Sequence, residues 1–259
     1  MTTAPSPTSG FSAFALEPFP EVRPGDDVAS AINDVLSRTG TALLDGDVVV
    51  VASKVVSIAE KRYVDLADVI PSVEALDLSA RTGKPAAVVQ LILEHSTEHF
   101  LATERGPIIA RHHLGHLLTS AGIDRAGDEG AWLLPVDPDA SARALRDALV
   151  THTGADIAVV IADSDGRADR RGATCISIGA AGVAPLRLTE HGGKRQEETF
   201  TDMIAAAAAI VLGQRGRGVP AAVLRGVGYV PSDVGVAEML HHAPTTRAAT
   251  PGKPSPSGV

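Results

Sequence analysis

Two aspartates sit where apolar runs give way to polar turns. Asp124 closes Ala121-Gly122-Ile123-Asp124, and Asp163 ends the apolar run 159–162 and opens Asp163-Ser164-Asp165-Gly166-Arg167. Strand ends are where side chains from distant parts of a chain converge on a ligand. Carboxylates at two such ends could hold one or two hard cations, which could bridge phosphate oxygens. The competing reading is that both are turn or cap residues, a role Asp favours on its own account. The stretch opening at Asp163 resembles the start of a calcium loop, but Thr174 stands where such a loop requires Glu, so that reading fails.

A second candidate is the turn Leu212-Gly213-Gln214-Arg215-Gly216-Arg217-Gly218-Val219-Pro220. Bare glycine amides beside two guanidinium groups suit a phosphate, although glycine caps at an ordinary helix end have the same composition. No G-x-x-x-x-G-K-[ST] loop and no strand–G-x-G-x-x-G–helix unit is present, so a nucleotide bound here uses neither cradle. His112, His113 and His116 raise a zinc site, but Gly115 interrupts them and no acid or Cys nearby completes a set. A surface or dimer-contact role is the plainer reading. Cys175 falls in a buried run and reads as an inert core thiol. Glu197 and Glu198 read as a solvated first helical turn.

The elements that must position these residues are legible in outline. Asp26 and Asp27 precede Val28, Ile32, Val35 and Leu36, a capped helix start with helical spacing. The β-branched run 48–52 reads as a strand buried on both faces. Helices are expected over 72–81 and from Pro85 to about Glu98, and another capped by Asp139, with Ala142, Leu145 and Leu149 on its apolar face. Strands are expected at 108–110, 114–120, 157–162, 173–180 and 219–225, with a helix over 199–212. Helices and strands alternate without a clean βαβ array, which gives an α+β (mixed α/β) fold. Residues 1–12 and 241–259, rich in Pro, Ser, Thr, Ala and Gly, read as disordered tails around a folded part at 13–240.

Bulk properties narrow the function. The chain has 259 residues, 44% hydrophobic but only 3% aromatic, so its core is built from Val, Leu, Ile and Ala. A formal net charge of -8 argues against non-specific nucleic-acid binding, which needs a basic footprint. The single cysteine precludes an intrachain disulfide and suits a reducing cytoplasm. No apolar run approaches the ~18 residues of a membrane span, and the first ten residues do not form a secretory signal.

Taken together, the motifs resemble the coenzyme F420:L-glutamate ligase family. Phe19-Pro20-Glu21-Val22 and Pro24-Gly25-Asp26-Asp27-Val28 are similar to its opening, and 45–57 to its first-strand signature. Thr82-Gly83-Lys84-Pro85, Ser120-Ala121-Gly122-Ile123-Asp124, 133–142, 161–167, Gly218-Val219-Pro220 and Val223-Leu224-Arg225-Gly226 follow in the family's order, covering about 16–228.

The resemblance implies two tightly associated α+β subdomains assembled as an intertwined homodimer. It also implies amide formation between the lactyl carboxylate of the F420 precursor and L-glutamate, driven by GTP through an acyl phosphate, with Mg2+ or Mn2+ and with K+ as a further ion. By position, Asp124, Asp163, Ser164 and Gln214 look like metal ligands. Pro20, Glu21 and Val22 look like the base-side loop, and Ser53 and Lys54 occupy the nucleotide position at the first strand's end. Leu212, Gly213, Arg215, Gly216, Arg217, Gly218 and Val219 look like the turn that wraps the nucleotide.

There are departures. The family's S-K-A-E-G-R is here Ser57-Ile58-Ala59-Glu60-Lys61-Arg62, so Ile58 replaces a Lys; Ala126-Gly127 replace S-N; and 188–196 does not reproduce the segment that shapes the acceptor site. Ligation of a different carboxylic acid, or a non-catalytic binding paralogue, are the alternatives these departures raise.

Overall fold

The protein is described from a computed structural model covering residues 10–213 and 219–241. In chain order, β1 (Ser12–Ala15), α1 (Val28–Thr39), β2 (Val48–Ala52), α2 (Ser53–Ala59) and β3 (Tyr63–Asp65) come first. Then follow α3 (Val73–Thr82), α4 (Ala86–Glu94), β4 (Ser96–Leu101), β5 (Ile108–His112), β6 (Leu117–Thr119), β7 (Asp124–Ala126) and β8 (Gly130–Trp132). The chain continues through α5 (Pro138–Thr153), β9 (Ala158–Gly166), β10 (Ala173–Ala181), β11 (Leu186–His191), β12 (Lys194–Thr199), α6 (Phe200–Leu212) and β13 (Ala221–Arg225).

The central sheet has the order β1-β13-β2-β9-β10, and only β2 and β9 run parallel. Its inner strands obey the two-residue alternation of a sheet covered on both faces. Val49, Val51, Val159, Ile161 and Val223 pack under α1 and α5, against Ile32, Val35, Leu36, Ala142 and Leu149. Val48, Val50, Ala158, Val160 and Leu224 face α6, against Ile204, Ala205, Ala208 and Leu212. Each of the four valines of β2 is fully buried, and burying a Val is worth about 1.5–3 kcal/mol relative to exposure. The alanines of α6 let that helix lie close on the sheet.

A second, smaller core joins α3 and α4 to the strands β5 and β8, through Ala75, Leu78, Val88, Ile92, Ile108, Ala110 and Ala131. It is flanked by the three-stranded sheets β3-β8-β7 and β4-β5-β6. The β11–β12 hairpin forms a sheet of its own. The architecture is α+β, and no helix among the described residues is long and apolar enough to cross a membrane.

Several local expectations change. Asp27, as expected, caps α1: Oδ1 accepts the amides of Ala29 (2.9 Å) and Ser30 (3.1 Å), and the hydrogen bonds from Ser30 hold its carboxyl below the ordinary range. The helix begun at Pro85 stops at Glu94, because the chain must turn into β4, whose residues pair with β5. Asp137, not Asp139, caps α5 by accepting the Ala140 amide at 2.9 Å. Asp139 points back instead, and its carboxylate accepts the amides of Ala180 (2.9 Å), Val236 (2.8 Å) and Ala237 (3.2 Å). Glu197 and Glu198 lie in β12, not in a helical turn, because Leu186–His191 offers them a partner strand. The strand at the N-terminal edge begins at Ser12, inside the stretch read as a tail, because it pairs with Arg225 of β13.

Candidate active site

The parallel pair β2 and β9 ends with Ala52 opposite Ala162. The next residue on each strand is therefore Ser53 on one side and Asp163 on the other. Ser53 Oγ donates to Asp163 Oδ1 at 2.5 Å, in a buried setting. The following residue, Lys54, reaches Asp124 with Nζ 3.8 Å from Oδ2. Both of those side chains are about half exposed, so this ion pair orients more than it stabilises. Four residues from three distant parts of the chain thus meet at one sheet end: Ser53, Lys54, Asp124 and Asp163.

Asp163 does not open a turn, as its sequence neighbours suggest. Strand β9 continues through it to Gly166, paired with β10. Burial pushes its carboxyl up to about 7; the Ser53 hydroxyl opposes this, while the negative charges of Asp124 and Asp165 reinforce it. A buried carboxylate beside two others is a place where a cation lowers the electrostatic cost. The donors are hard oxygens, which fit Mg2+ or Mn2+ and not a thiolate-seeking ion. Among the described residues, no three His, Cys, Asp or Glu side chains come together as a complete metal-holding group.

Asp124 is presented by an unusual turn. Ser120, Ala121 and Gly122 have φ of 55°, 52° and 69°, a left-handed conformation that costs a non-glycine residue roughly 1–2 kcal/mol. A Cβ on Gly122 would stand 2.8 Å from Leu134 Cδ1, so only glycine fits at the third position. The turn is anchored upstream: Asp165 Oδ1 accepts the Thr119 amide at 2.9 Å, and Thr119 Oγ donates to the Gly166 carbonyl at 3.0 Å. Asp165 and Thr119 are residues beside the candidate site that the sequence reading does not single out. The available signal was spacing, since Asp163 and Asp165 are two apart on a strand and share a face.

The other candidates divide. Ser164, next to Asp163 on β9, alternates to the opposite face, where its Oγ lies 3.8 Å from Cys175 Sγ. Its hydroxyl is not brought to the Asp163 carboxylate. Pro20, Glu21 and Val22 lie in the loop before α1; Val22 packs on the main core. That loop is tied to the far end of α2 by the Gly25 amide, which donates to the Ala59 carbonyl at 2.9 Å. Helix α2, roughly 10 Å long at 1.5 Å per residue, thus spans from Ser53 to the opening loop. Leu212 is buried at the end of α6, and the Gly213 amide donates to Ala209 at 2.9 Å. Gln214, Arg215, Gly216, Arg217 and Gly218 lie outside the described residues. The chain returns at Val219 and Pro220, where the Pro220 carbonyl accepts the Ala52 amide at 2.7 Å. The exit of the glycine-rich turn is therefore bound to the residue before Ser53.

The substituted positions are also placed. Ile58 is half-buried in α2. Lys61 keeps the left-handed backbone, with φ 59°, at the position where the resembling motif has Gly, and a Cβ on Gly25 would stand 3.2 Å from Lys61 Cε. Gly127 sits in the β7–β8 turn and has no side chain to offer.

The histidines form a cluster, but not a zinc site. His112 and His116 are buried, against the surface-contact reading. The rings of His95 and His112 stack with centroids 6.0 Å apart. Nδ1 of His112 accepts the Leu114 amide at 3.0 Å, and His113 Nε2 lies 3.1 Å from the Glu94 carbonyl. These ring nitrogens are engaged with the backbone. Cys175 is buried in β10, as expected.

Residues 18–226 match the family model described as F420-0:Gamma-glutamyl ligase. The chain is similar to the coenzyme F420:L-glutamate ligase of Methanothermobacter thermautotrophicus, at 40% identity over 242 residues, covering 89% of this chain and 96% of that protein. It is 39% identical over 223 residues to the enzyme of the same name from Archaeoglobus fulgidus, covering 83% and 87% of the two chains. A third relative so named, from Haloarcula marismortui, is 38% identical over 227 residues, covering 82% and 86%. With the fold, the meeting of Asp124 and Asp163 and this near full-length similarity in hand, the chain belongs to the F420-0:gamma-glutamyl ligase family and is an amide-forming ligase.

Proposed function

We propose that the protein joins L-glutamate to the lactyl carboxylate of the F420 precursor, using GTP and Mg2+ or Mn2+ in the cytoplasm, as a homodimer, with K+ as a further ion. The observation that carries this reading is the meeting of Asp124, Asp163, Ser53 and Lys54 at the sheet end to which the exit of the glycine-rich turn is hydrogen-bonded. Asp124 and Asp163 would hold the divalent ion, which would supply charge neutralisation for the phosphates.

The chain's own groups do the rest. The Ser53 hydroxyl keeps Asp163 oriented by donating to it. Lys54 holds Asp124 and offers its ammonium to phosphate oxygens. Gln214 is a further candidate ligand, whereas the Ser164 hydroxyl, turned toward Cys175, is not placed to be one. The loop at Pro20, Glu21 and Val22 is assigned to the base, and Leu212, Gly213, Arg215, Gly216, Arg217, Gly218 and Val219 to the phosphates. In the first step a carboxylate oxygen of the acceptor attacks the γ-phosphorus and GDP leaves, forming an acyl phosphate. In the second, the glutamate amine attacks the acyl carbon, phosphate departs and the nitrogen loses a proton, leaving an amide.

Purified protein incubated with the F420 precursor, L-glutamate, GTP and Mn2+ should release phosphate and add one glutamate mass to the acceptor. Absence of that mass gain under every divalent ion tried overturns the assignment. A second reading, a binding paralogue without catalysis, draws on Ile58 and Gly127, which supply neither the cation nor the amide of the resembling motif. It requires binding of the precursor without phosphate release.

A further inference from the structure

We propose that Asp165 is a positioning residue, which by holding Thr119 sets the left-handed turn that carries Asp124 toward Asp163. The inference rests on the proposed use of Asp124 and Asp163 as a shared cation site.

The geometry separates Asp165 from the two ligand candidates. Its carboxylate is buried and already engaged, with Oδ1 accepting the Thr119 amide at 2.9 Å. Thr119 in turn donates through Oγ to the carbonyl of Gly166, the residue after Asp165, at 3.0 Å. A Cβ on Gly166 would lie 2.7 Å from that hydroxyl, so a larger residue there would displace it. Strand β6 is thereby locked to the end of β9.

What Asp165 holds is the start of a strained segment. After Thr119 the chain passes through Ser120 and Ala121 at φ 55° and 52°, then Gly122 at φ 69°, and the Ile123 amide donates back to the Ser120 carbonyl at 3.0 Å. Ser120 and Ala121 do not choose this conformation by themselves; restraint on both sides must impose it. Downstream the restraint is the pairing of Asp124 with Trp132 and the contact of Gly122 with Leu134. Upstream it is Asp165. Because the same strand carries Asp163 two residues earlier, one rigid element both bears one carboxylate and fixes the approach of the other. The chemistry needed of Asp165 is a hydrogen-bond acceptor, not a charge.

That distinction supplies the test. Mn2+ binding is read by electron paramagnetic resonance on the full chain with GTP present. Asp165→Asn keeps an acceptor oxygen and should bind Mn2+ within about threefold of the parent. Asp165→Ala should weaken binding tenfold or more. Thr119→Pro removes that donor together with the hydroxyl bond to Gly166, and Thr119 has φ −63°, which proline adopts; it should weaken binding at least as much as Asp165→Ala. This second variant decides the matter if Asp165→Ala does not fold. Parent-like Mn2+ affinity in the folded variants overturns the inference while leaving the functional reading intact. So does a loss in Asp165→Asn equal to that in Asp165→Ala, since Asp165 would then act by charge. A parent that binds no Mn2+ overturns the functional reading, and the inference with it.

Discussion

The hydroxyl of Ser53 and the carboxylate of Asp163 are joined at 2.5 Å although they lie 110 positions apart in the chain. Parallel strands make this possible, because both strands deliver their next residue at the same end of the sheet. The bond serves a carboxyl that burial makes costly to ionise. Ser53→Ala should therefore lower the rate of GTP-driven glutamate addition by roughly tenfold, the equivalent of about 1.4 kcal/mol, while Ser53→Thr, which keeps the oxygen, retains most of it. Steady-state rates of the two variants decide this; an Ala variant at full rate removes the hydroxyl from the argument.

A second pair concerns stability. Arg225 grips the buried Asp47 through Nε (2.9 Å) and Nη2 (2.7 Å), and the Leu44 amide also donates to Asp47 at 2.9 Å. The Asp47 side chain is 1% exposed and that of Arg225 33%. Removing the cation strands a buried charge, whereas removing the carboxylate leaves a guanidinium that water reaches. Arg225→Met should cost about 3 kcal/mol and Asp47→Asn distinctly less, as measured by urea unfolding. Equal losses would show that the two charges are equally solvated.

Lys61 holds a left-handed backbone without being glycine. Lys61→Gly relieves that strain but gives the unfolded chain more freedom, so the gain should be no more than about 1 kcal/mol. The same change at Ala121 should be close to neutral, because the methyl is fully buried in the smaller core and its packing is lost. Thermal midpoints of the two variants test the contrast.

The His112 ring supplies a pH signature. Burial, followed by the charges of His95, His113, His116 and Arg62, pushes its pKa down to about 3. In the unfolded chain it titrates near 6.5, so between about 6.5 and 3 the unfolded state takes up a proton that the folded state refuses. Stability should be unaffected by this group above pH 7 and fall on acidification by up to about 1.4 kcal/mol per unit. His116, also lowered by burial, acts in the same direction. Melting curves from pH 7 to 5 should decline less steeply in His112→Asn, which keeps an acceptor for the Leu114 amide.

Elements with strong periodicity are legible in the sequence. The run at 48–52 announced β2, and Asp27 announced α1, because burial and capping act locally. The pairing of Asp124 with Asp163 is suggested by two carboxylates at strand ends and strengthened by the order of motifs, since no local rule states which strands are neighbours. The β11–β12 hairpin is not legible because its strands, LRLTEH and KRQEET, lack an apolar stripe and owe their form to each other. The sequence extends helix α4 too far because Ser96 and Glu98 pair with His112 and Arg111, more than ten positions away. The role of Asp165 was hidden for the same reason: its partner amide lies 46 positions upstream.

Strand β9 carries its acids in phase. Asp163 and Asp165 point one way and Ser164 the other, a two-stroke rhythm that composition does not record. Adding or deleting one residue between 158 and 163 would leave the strand as apolar as before, yet hand the serine to the cation side and turn both acids toward Cys175. Such a protein could still fold and would have lost its reactive end. Length in this chain is thus constrained most tightly where the sequence looks most repetitive.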